Sequence, residues 1–154
     1  DKYGGLSHFI SKLIQLPEEI KVIISKSKIH SKNRFQYFKT TNRRLYDREY
    51  KSLTAKGFFD AIYFNEKGEL AEGSISNIYI YKKDVISTPP INAGILPGVY
   101  RKYLLKNDAG IRESRLYLED LLEADKIVLT NSVRGEVTVN KLFLDENEFI
   151  EFQM

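Results

Sequence analysis

The chain has 154 residues, 42% of them hydrophobic, so it can bury one substantial core and is predicted to form one domain. It contains no cysteine, which excludes disulfide bonds, thiolate catalysis and cysteine-ligated metal sites. A formal charge of +3 is weak support for nucleic-acid binding. No apolar run could span a bilayer and no secretory leader opens the sequence, so we expect a soluble, cytoplasmic protein that binds no membrane.

The first 17 residues are predicted to be a linker or docking segment, and residues 18–154 are predicted to be the folded domain. Apolar residues in the first segment recur at the spacing of one helix face. They are Leu6, Phe9, Ile10, Leu13 and Ile14. After Pro17, β-branched residues predict a strand over residues 19–25, and the basic residues 26–34 predict a solvated loop.

Thr41 or Asn42 is predicted to cap a helix that runs to about Lys56 and stops at Gly57. The pattern then changes to β, with strands predicted over residues 58–64, 69–72, 77–81 and 85–88 and a turn at residues 65–68. A second helix is predicted over residues 98–107, because the preceding Pro97 is tolerated at a helix start. A strand over residues 110–117, a helical turn over 119–123 and strands over 126–129, 137–144 and 148–152 follow. This mixture predicts an α+β or mixed α/β fold.

Two polar residues 33 positions apart (72 − 39 = 33), Lys39 and Glu72, are candidates for a pyridoxal phosphate site. A lysine that attacks an aldehyde must be neutral, and Lys39 follows an apolar stretch and precedes Arg43 and Arg44, which would favour the neutral amine. A carboxylate beside a pyridine nitrogen keeps that nitrogen protonated and makes the ring an electron sink. Taken singly, an exposed lysine and an exposed turn glutamate are the simpler interpretations.

The junction at residues 94–101 has the properties of an anion site. A helix N-terminus offers free backbone N–H groups, and Gly98 lets a phosphate come close to the backbone. Arg101 is a candidate contact to phosphate or substrate, or a surface cation of the first turn. Thr130, Asn131 and Ser132 end a buried strand, where hydroxyl and amide groups often meet ligands, although ordinary turns favour the same residue types.

Four blocks, in this order and spacing, resemble the signature segments of the fold-type-IV pyridoxal phosphate enzymes. The blocks are Lys39-Thr40-Thr41-Asn42-Arg43, Glu72-Gly73-Ser74-Ile75-Ser76-Asn77-Ile78-Tyr79, Gly94-Ile95-Leu96-Pro97-Gly98-Val99-Tyr100-Arg101 and Thr130-Asn131-Ser132-Val133-Arg134-Gly135. This family includes aminodeoxychorismate lyase, branched-chain aminotransferases and D-amino acid aminotransferases. The resemblance begins at about residue 18 and implies a β-rich pseudo-barrel with flanking helices, the C-terminal lobe of these enzymes.

The resemblance also implies a role for each matching residue. Lys39 would bind pyridoxal phosphate covalently and act as the catalytic base, and Glu72 would pair with the pyridine nitrogen. The backbone at Val99 and Tyr100 and the hydroxyl of Ser132 would hold the phosphate. A smaller N-terminal lobe, absent from this chain, would complete the site, and the enzyme would be a homodimer. We therefore expect this chain alone to bind the cofactor weakly or not at all.

Within the family, the lysine block and the Thr-Asn-Ser block are most similar to aminodeoxychorismate lyase, particularly to the lyase portion fused to para-aminobenzoate synthase component I. Branched-chain enzymes typically carry a tyrosine five residues after the lysine, where this chain has Arg44. The contact to the ring hydroxyl is then unassigned unless the helix turns Tyr46 or Tyr50 inward. The implied reaction converts aminodeoxychorismate, a carboxylated amine, to 4-aminobenzoate and pyruvate for folate synthesis, and Arg101 or Arg134 would bind a substrate carboxylate.

Three alternatives stay open. A branched-chain or D-amino acid aminotransferase would share the cofactor apparatus but exchange amino groups with donors, whereas a non-catalytic assembly domain would not need Lys39. Nucleic-acid binding would rest on the basic residues 21–34 alone, for which a solvated loop is the simpler interpretation. His8 and His30 have no companions at metal-ligand spacing, so no metal site is predicted.

Overall fold

The computed structural model describes residues 8 and 10–152, which form two five-stranded sheets and a few short helices. The strands are β1 (Lys21–Ile29), β2 (Asp60–Asn65), β3 (Leu70–Gly73), β4 (Asn77–Lys82), β5 (Val85–Thr88), β6 (Ile111–Glu113), β7 (Lys126–Asn131), β8 (Gly135–Thr138), β9 (Lys141–Phe143) and β10 (Phe149–Glu151). The α-helices are α1 (Arg44–Thr54), α2 (Val99–Asn107) and α3 (Leu118–Leu122), and 3-10 helices cover Arg34–Tyr37 and Ile91–Ala93. The predicted α+β class is confirmed.

The two sheets differ in topology. The first has the order β10-β9-β1-β2-β3, and its central strand β1 runs parallel to both β9 and β2. The second has the order β6-β5-β4-β7-β8, and β4 pairs antiparallel with both β5 and β7. The chain crosses from the first sheet to the second at residues 74–76, between β3 and β4, so residues 72–77 lie where the two sheets meet.

Side-chain alternation along β1 and β2 explains how the sheets pack. Val22 and Ile62 face the second sheet and join a core that includes Ile78 and Leu129. The neighbouring residues on each strand face the opposite side, where they pack under α1 in a second apolar cluster. Its buried members are Ile23, Ile29, Tyr46, Ala61, Tyr63, Ala71, Ala93 and Ile95. Nearly every residue of β2 and β3 is buried, so both faces of this part of the first sheet are covered.

Most predicted elements form within a residue or two of their expected bounds, but three expectations near the N-terminus are wrong. Residues 10–17 are not helical, and Ile10 and Ile14 are exposed; Leu6 and Phe9 lie outside the described residues. The predicted basic loop begins late, because β1 continues to Ile29. Helix α1 begins at Arg44 without a side-chain cap from Thr41 or Asn42.

Contacts with α1 explain why β1 is longer than predicted. The hydroxyls of Ser25 and Ser27 donate to opposite carboxylate oxygens of Glu49 on α1, each at 2.6 Å. This satisfies two polar side chains in the middle of β1 and lets the strand continue through a lysine-rich sequence. At the start of α1, the helix has no side-chain cap, and the Arg43 side chain instead pairs with the Asp47 side chain at 2.8 Å.

The predicted strand over residues 137–144 is two strands that belong to different sheets. β8 pairs with β7 in the second sheet, whereas β9 pairs with β1 in the first. Asn140 lies at the crossing, where its Oδ1 accepts from the Ile20 backbone N–H at 2.6 Å. The predicted strand over residues 110–117 is likewise shorter, because only Ile111–Glu113 pairs with β5.

Candidate active site

A cavity of about 940 Å³ opens where the two sheets meet α1 and α2, and this volume suits a small-molecule cofactor with its substrate. Segments of all four motif blocks line it. Among the predicted site residues, the lining includes Lys39, Glu72, Val99, Tyr100, Ser132 and Arg134. Residues separated by up to 95 positions in the sequence (134 − 39 = 95) therefore line the same cavity. Arg101 is not among the lining residues.

Glu72 is a buried strand residue rather than the exposed turn residue of the simpler interpretation. It lies on β3 with 6% of its surface exposed. Its Oε1 accepts from the Tyr46 hydroxyl at 2.9 Å, and its Oε2 accepts from the Leu96 backbone N–H at 2.8 Å. Burial raises the pKa of Glu72 to about 7, although both hydrogen bonds and the Arg43 charge act in the opposite direction. The carboxyl is therefore poised to carry or share a proton near neutral pH.

Lys39 lies on the cavity wall but not at the end of an apolar strand, as its sequence context suggested. It follows the 3-10 helix Arg34–Tyr37 in an irregular, exposed segment. The Tyr37 hydroxyl anchors this segment by donating to the Ser31 carbonyl at 2.5 Å. Lys39 is therefore an exposed residue of the cavity lining.

The start of α2 forms the opposite end of the cavity. Gly98 is the N-cap and provides no side-chain cap, so the first backbone N–H groups of the helix, at Val99 and Tyr100, are available to an anion. A Cβ at Gly98 would lie 2.2 Å from Asn77 Oδ1, while Asn77 Nδ2 holds the Leu96 carbonyl at 2.9 Å. Only glycine fits at this position, and Asn77 fixes the loop that precedes the helix.

Two hydroxyls on β7 and the following turn complete this end of the cavity. Ser132 is exposed, and Thr130 is buried opposite Asn77 in the strand register. The Thr130 hydroxyl has no hydrogen-bond partner among the described residues. A buried hydroxyl without a hydrogen-bond partner is uncommon in a folded protein.

The two arginines proposed for a substrate carboxylate have different surroundings. Arg101 has 3% of its surface exposed, and its Nη2 donates to the Pro89 carbonyl at 2.8 Å and to Glu113 at 2.5 Å. Arg101 is therefore not the surface cation of the simpler interpretation, and these bonds hold α2 against the β5–β6 edge. Arg134 does line the cavity, and its Nη1 donates to the Ile14 carbonyl at 2.9 Å.

Asp60 is a buried carboxylate that contacts two residues of the cavity lining, Ser74 and Ser76, and that none of the four motif blocks contains. Its Oδ1 accepts from the Ser74 backbone N–H at 2.9 Å and from the Ser74 hydroxyl, and its Oδ2 accepts from the Ser76 hydroxyl at 2.6 Å. Gly73 lies so close that a Cβ there would be 2.3 Å from Asp60 Oδ2. The available signal was an acidic residue at the start of an aromatic strand. Asp60 organises the turn that carries the chain from Glu72 into the second sheet.

The inward orientation of Tyr46 answers one question that the sequence left open. Helix α1 turns Tyr46 into the core, where its ring packs edge-on against Tyr63 with centroids 4.9 Å apart. The guanidinium of Arg43 lies 5.4 Å from the Tyr46 ring centroid and donates to the Ser74 carbonyl. Tyr50 also lines the cavity, whereas Arg44 does not.

These features fit pyridoxal phosphate. A buried carboxylate can face a pyridine nitrogen, free N–H groups at a nine-residue helix can receive a phosphate, and an exposed lysine amine lies on the wall of the same cavity. Among the described residues, no group of three or more His, Cys, Asp or Glu could hold a metal ion. In the same part of the chain, no helix is long and apolar enough to cross a membrane.

Comparison with known proteins agrees with this site. The model of the amino-transferase class IV family matches residues 6–142. The chain belongs to this family. Members of the class IV family are pyridoxal phosphate enzymes, which confirms the cofactor expected from the four blocks.

The curated relatives include both activities that the sequence suggested. An aminodeoxychorismate lyase of Bacillus subtilis is 39% identical over 54% of this chain and 30% of its own length. A probable branched-chain-amino-acid aminotransferase of Thermotoga maritima is 32% identical over 60% of this chain and 35% of its own length. The chain thus spans about a third of the length of these class IV relatives.

Solved structures show the same fold. A Legionella pneumophila protein provisionally assigned as a 4-amino-4-deoxychorismate lyase superposes with a TM-score of 0.81 and 24% identity, covering 94% of this chain and 53% of its own. The branched-chain aminotransferase of Escherichia coli superposes with a TM-score of 0.72 and 24% identity, covering 80% of this chain and 44% of its own. These two likenesses establish the class IV architecture and not the reaction.

Proposed function

We propose that this chain is the cofactor-holding lobe of a 4-amino-4-deoxychorismate lyase, which releases 4-aminobenzoate and pyruvate. One observation carries the cofactor site: Lys39 and the buried Glu72 line a single cavity with the free N-terminus of α2. The choice of lyase is supported by the 39% identity to the Bacillus subtilis lyase. A second support is Arg44. Branched-chain enzymes typically carry a tyrosine at this position, whereas Arg44 does not line the cavity.

Each cavity-lining residue of this chain has a separate role in binding the cofactor or moving a proton. The N–H groups of Val99 and Tyr100, with the Ser132 hydroxyl, bind the phosphate. Glu72 holds the pyridine nitrogen in its protonated form. Bound pyridoxal phosphate supplies an electron sink for the electrons released when the substrate loses a proton. Lys39 is the catalytic residue on the cavity wall that takes this proton.

The proton that Lys39 removes is returned later in the same reaction, so none is gained or lost. It leaves a ring carbon of the substrate. The carbon–oxygen bond on the neighbouring carbon then breaks, and the ring becomes aromatic. Lys39 then returns the proton to the methylene carbon of the departing enolpyruvyl group, which leaves as pyruvate. No water or oxidant is consumed. Arg134, which lines the cavity, is the remaining candidate for a substrate carboxylate.

The decisive experiment is product formation from 4-amino-4-deoxychorismate by the natural protein that carries this chain, with excess pyridoxal phosphate. Equal release of 4-aminobenzoate and pyruvate, lost in Lys39→Ala and retained in Lys67→Ala on an exposed turn, is expected. Conversion of the cofactor to its aminated form by glutamate or D-alanine, without release of 4-aminobenzoate, would instead establish an aminotransferase. Activity that survives Lys39→Ala would refute the catalytic role of this lysine.

The isolated lobe provides a separate test of completeness. We propose that a second lobe and a homodimer complete the site, so this chain alone should show little lysine-dependent visible absorbance when pyridoxal phosphate is added. Strong, saturable absorbance that disappears in Lys39→Ala would show that one lobe is sufficient for cofactor binding.

A further inference from the structure

A chain of two hydrogen bonds behind Glu72 has no assigned role in the reaction. Gln36 Nε2 donates to the Tyr46 hydroxyl at 2.9 Å, and this hydroxyl donates to Glu72 Oε1 at 2.9 Å. Gln36 belongs to the 3-10 helix that precedes Lys39, and Tyr46 belongs to α1. The bonds therefore connect the segment that carries the lysine to the carboxylate across the cavity wall.

The direction of these bonds is determined by what each group can donate. An amide NH₂ can only donate, so Gln36 occupies a lone pair of the Tyr46 oxygen and leaves the hydroxyl hydrogen for Glu72. The second oxygen of Glu72 accepts from the Leu96 N–H, which also can only donate. Both carboxylate oxygens are thus supplied with donors, the arrangement that favours an ionised carboxylate.

The surroundings of Glu72 otherwise oppose ionisation. Desolvation is the largest influence on its pKa and acts upward, and the nearby Asp60 carboxylate adds to this effect. The Arg43 charge acts downward. Hydrogen bonds to a charged group are stronger than those between neutral groups, so they can decide the protonation of a carboxyl balanced in this way.

We propose that Tyr46, held by Gln36, is a positioning residue that favours the ionised form of Glu72 and holds the carboxylate at the cavity wall, where it would receive the proton-bearing ring nitrogen. The inference rests on the proposed function only for the identity of the ring. It also gives Tyr46 a different role from the ring-hydroxyl contact considered from the sequence, because its hydroxyl is committed to Glu72. Tyr50 is left as the cavity-lining tyrosine of α1 available for that contact.

The test is the pKa of Glu72, measured by ¹³C NMR of the side-chain carboxyl in the natural protein that carries this chain, without cofactor. Tyr46→Phe should raise the pKa of Glu72 by about one to two, the equivalent of one hydrogen bond to a charged group. Tyr63→Phe is the matched control, because it removes a buried hydroxyl that donates to a different carboxylate, Glu49, at 3.0 Å. An unchanged Glu72 pKa in Tyr46→Phe would overturn the proposal.

If Tyr46→Phe does not fold, Gln36→Leu tests the same pair of hydrogen bonds. Loss of the amide donor frees the hydroxyl to turn away from Glu72, so a smaller upward change in the Glu72 pKa is expected, and no change would contradict the proposal. A second measurement adds pyridoxal phosphate to the natural protein and follows its visible absorbance against pH. A Tyr46→Phe profile displaced to higher pH supports the role at the ring. If Tyr46→Phe raises the Glu72 pKa but leaves the absorbance profile of the cofactor unaltered, the hydrogen bonds act on Glu72 but Glu72 does not face the cofactor, and the role at the ring is overturned.

Discussion

Replacing Glu72 by glutamine should change how the stability of the protein depends on pH. Folding raises the pKa of Glu72 from an ordinary 4.5 to about 7, because the carboxyl is buried. Between these values the folded state binds a proton that the unfolded state has released. Stability therefore falls as pH rises through this window, and the whole penalty is present above pH 7. Glutamine carries no proton to release, so Glu72→Gln lacks this contribution.

The size of the effect follows from the change in pKa. A difference of about 2.5 between the folded and unfolded values corresponds to roughly 3 kcal/mol, at 1.36 kcal/mol for each pH unit. The free energy of unfolding of the wild type, minus that of Glu72→Gln, should therefore fall by roughly 3 kcal/mol between about pH 4 and about pH 8. Burial also raises the pKa of Asp60, but this carboxyl is present in both proteins and largely cancels in the difference.

Urea unfolding of both proteins across this range measures the difference directly. Glu66→Gln is the matched control. The Ser31 hydroxyl and backbone N–H lower the pKa of Glu66 to about 2, so its contribution is complete above pH 4.5 and is lost only at lower pH. A flat difference for Glu72→Gln, or one that grows with pH, would refute the inference that burial dominates the Glu72 environment.

Two further substitutions test the geometry around the cavity. Gly98→Ala should lower the free energy of unfolding by roughly 1–3 kcal/mol and weaken phosphate binding, because the new Cβ would overlap the Asn77 amide. Gly110→Ala, in an exposed turn, is the control. If the two variants unfold in urea with equal losses of stability, the argument is contradicted. Asp60→Asn should cost roughly 1–3 kcal/mol in the same assay, since an amide N–H would meet the donors of the Ser74 turn, and wild-type stability would show that this carboxylate does not organise the turn.

The four motif blocks could be located from the sequence because each depends on local requirements. Gly98 precedes a helix whose first N–H groups are free, and the strands around Glu72 show aromatic and β-branched residues in short runs. Such features depend on neighbours within a few positions. For the same reason the second helix and the strand Val85–Thr88 form almost where the pattern predicts them.

The orientation of individual side chains was less accessible. Arg101 lies in the first turn of α2, as expected, but it points into a buried contact with Pro89 and Glu113, which no local pattern indicates. The strand predicted over residues 137–144 divides between two sheets. Its first half pairs with the nearby strand β7, whereas its second half pairs with β1, more than a hundred positions earlier in the sequence. Periodicity specifies which residues share a face, and it does not specify which sheet receives that face.

The sequence by itself determined the class of fold, the family resemblance and two candidate residues, Lys39 and Glu72, that line the same cavity. Only the tertiary structure decided the environment of that pair: Lys39 is on an exposed segment, whereas Glu72 is buried with Tyr46 and the Leu96 N–H on its two oxygens. The physical reason is that residue type determines which proton a side chain can exchange, but desolvation and distant donors determine the pH at which it does so.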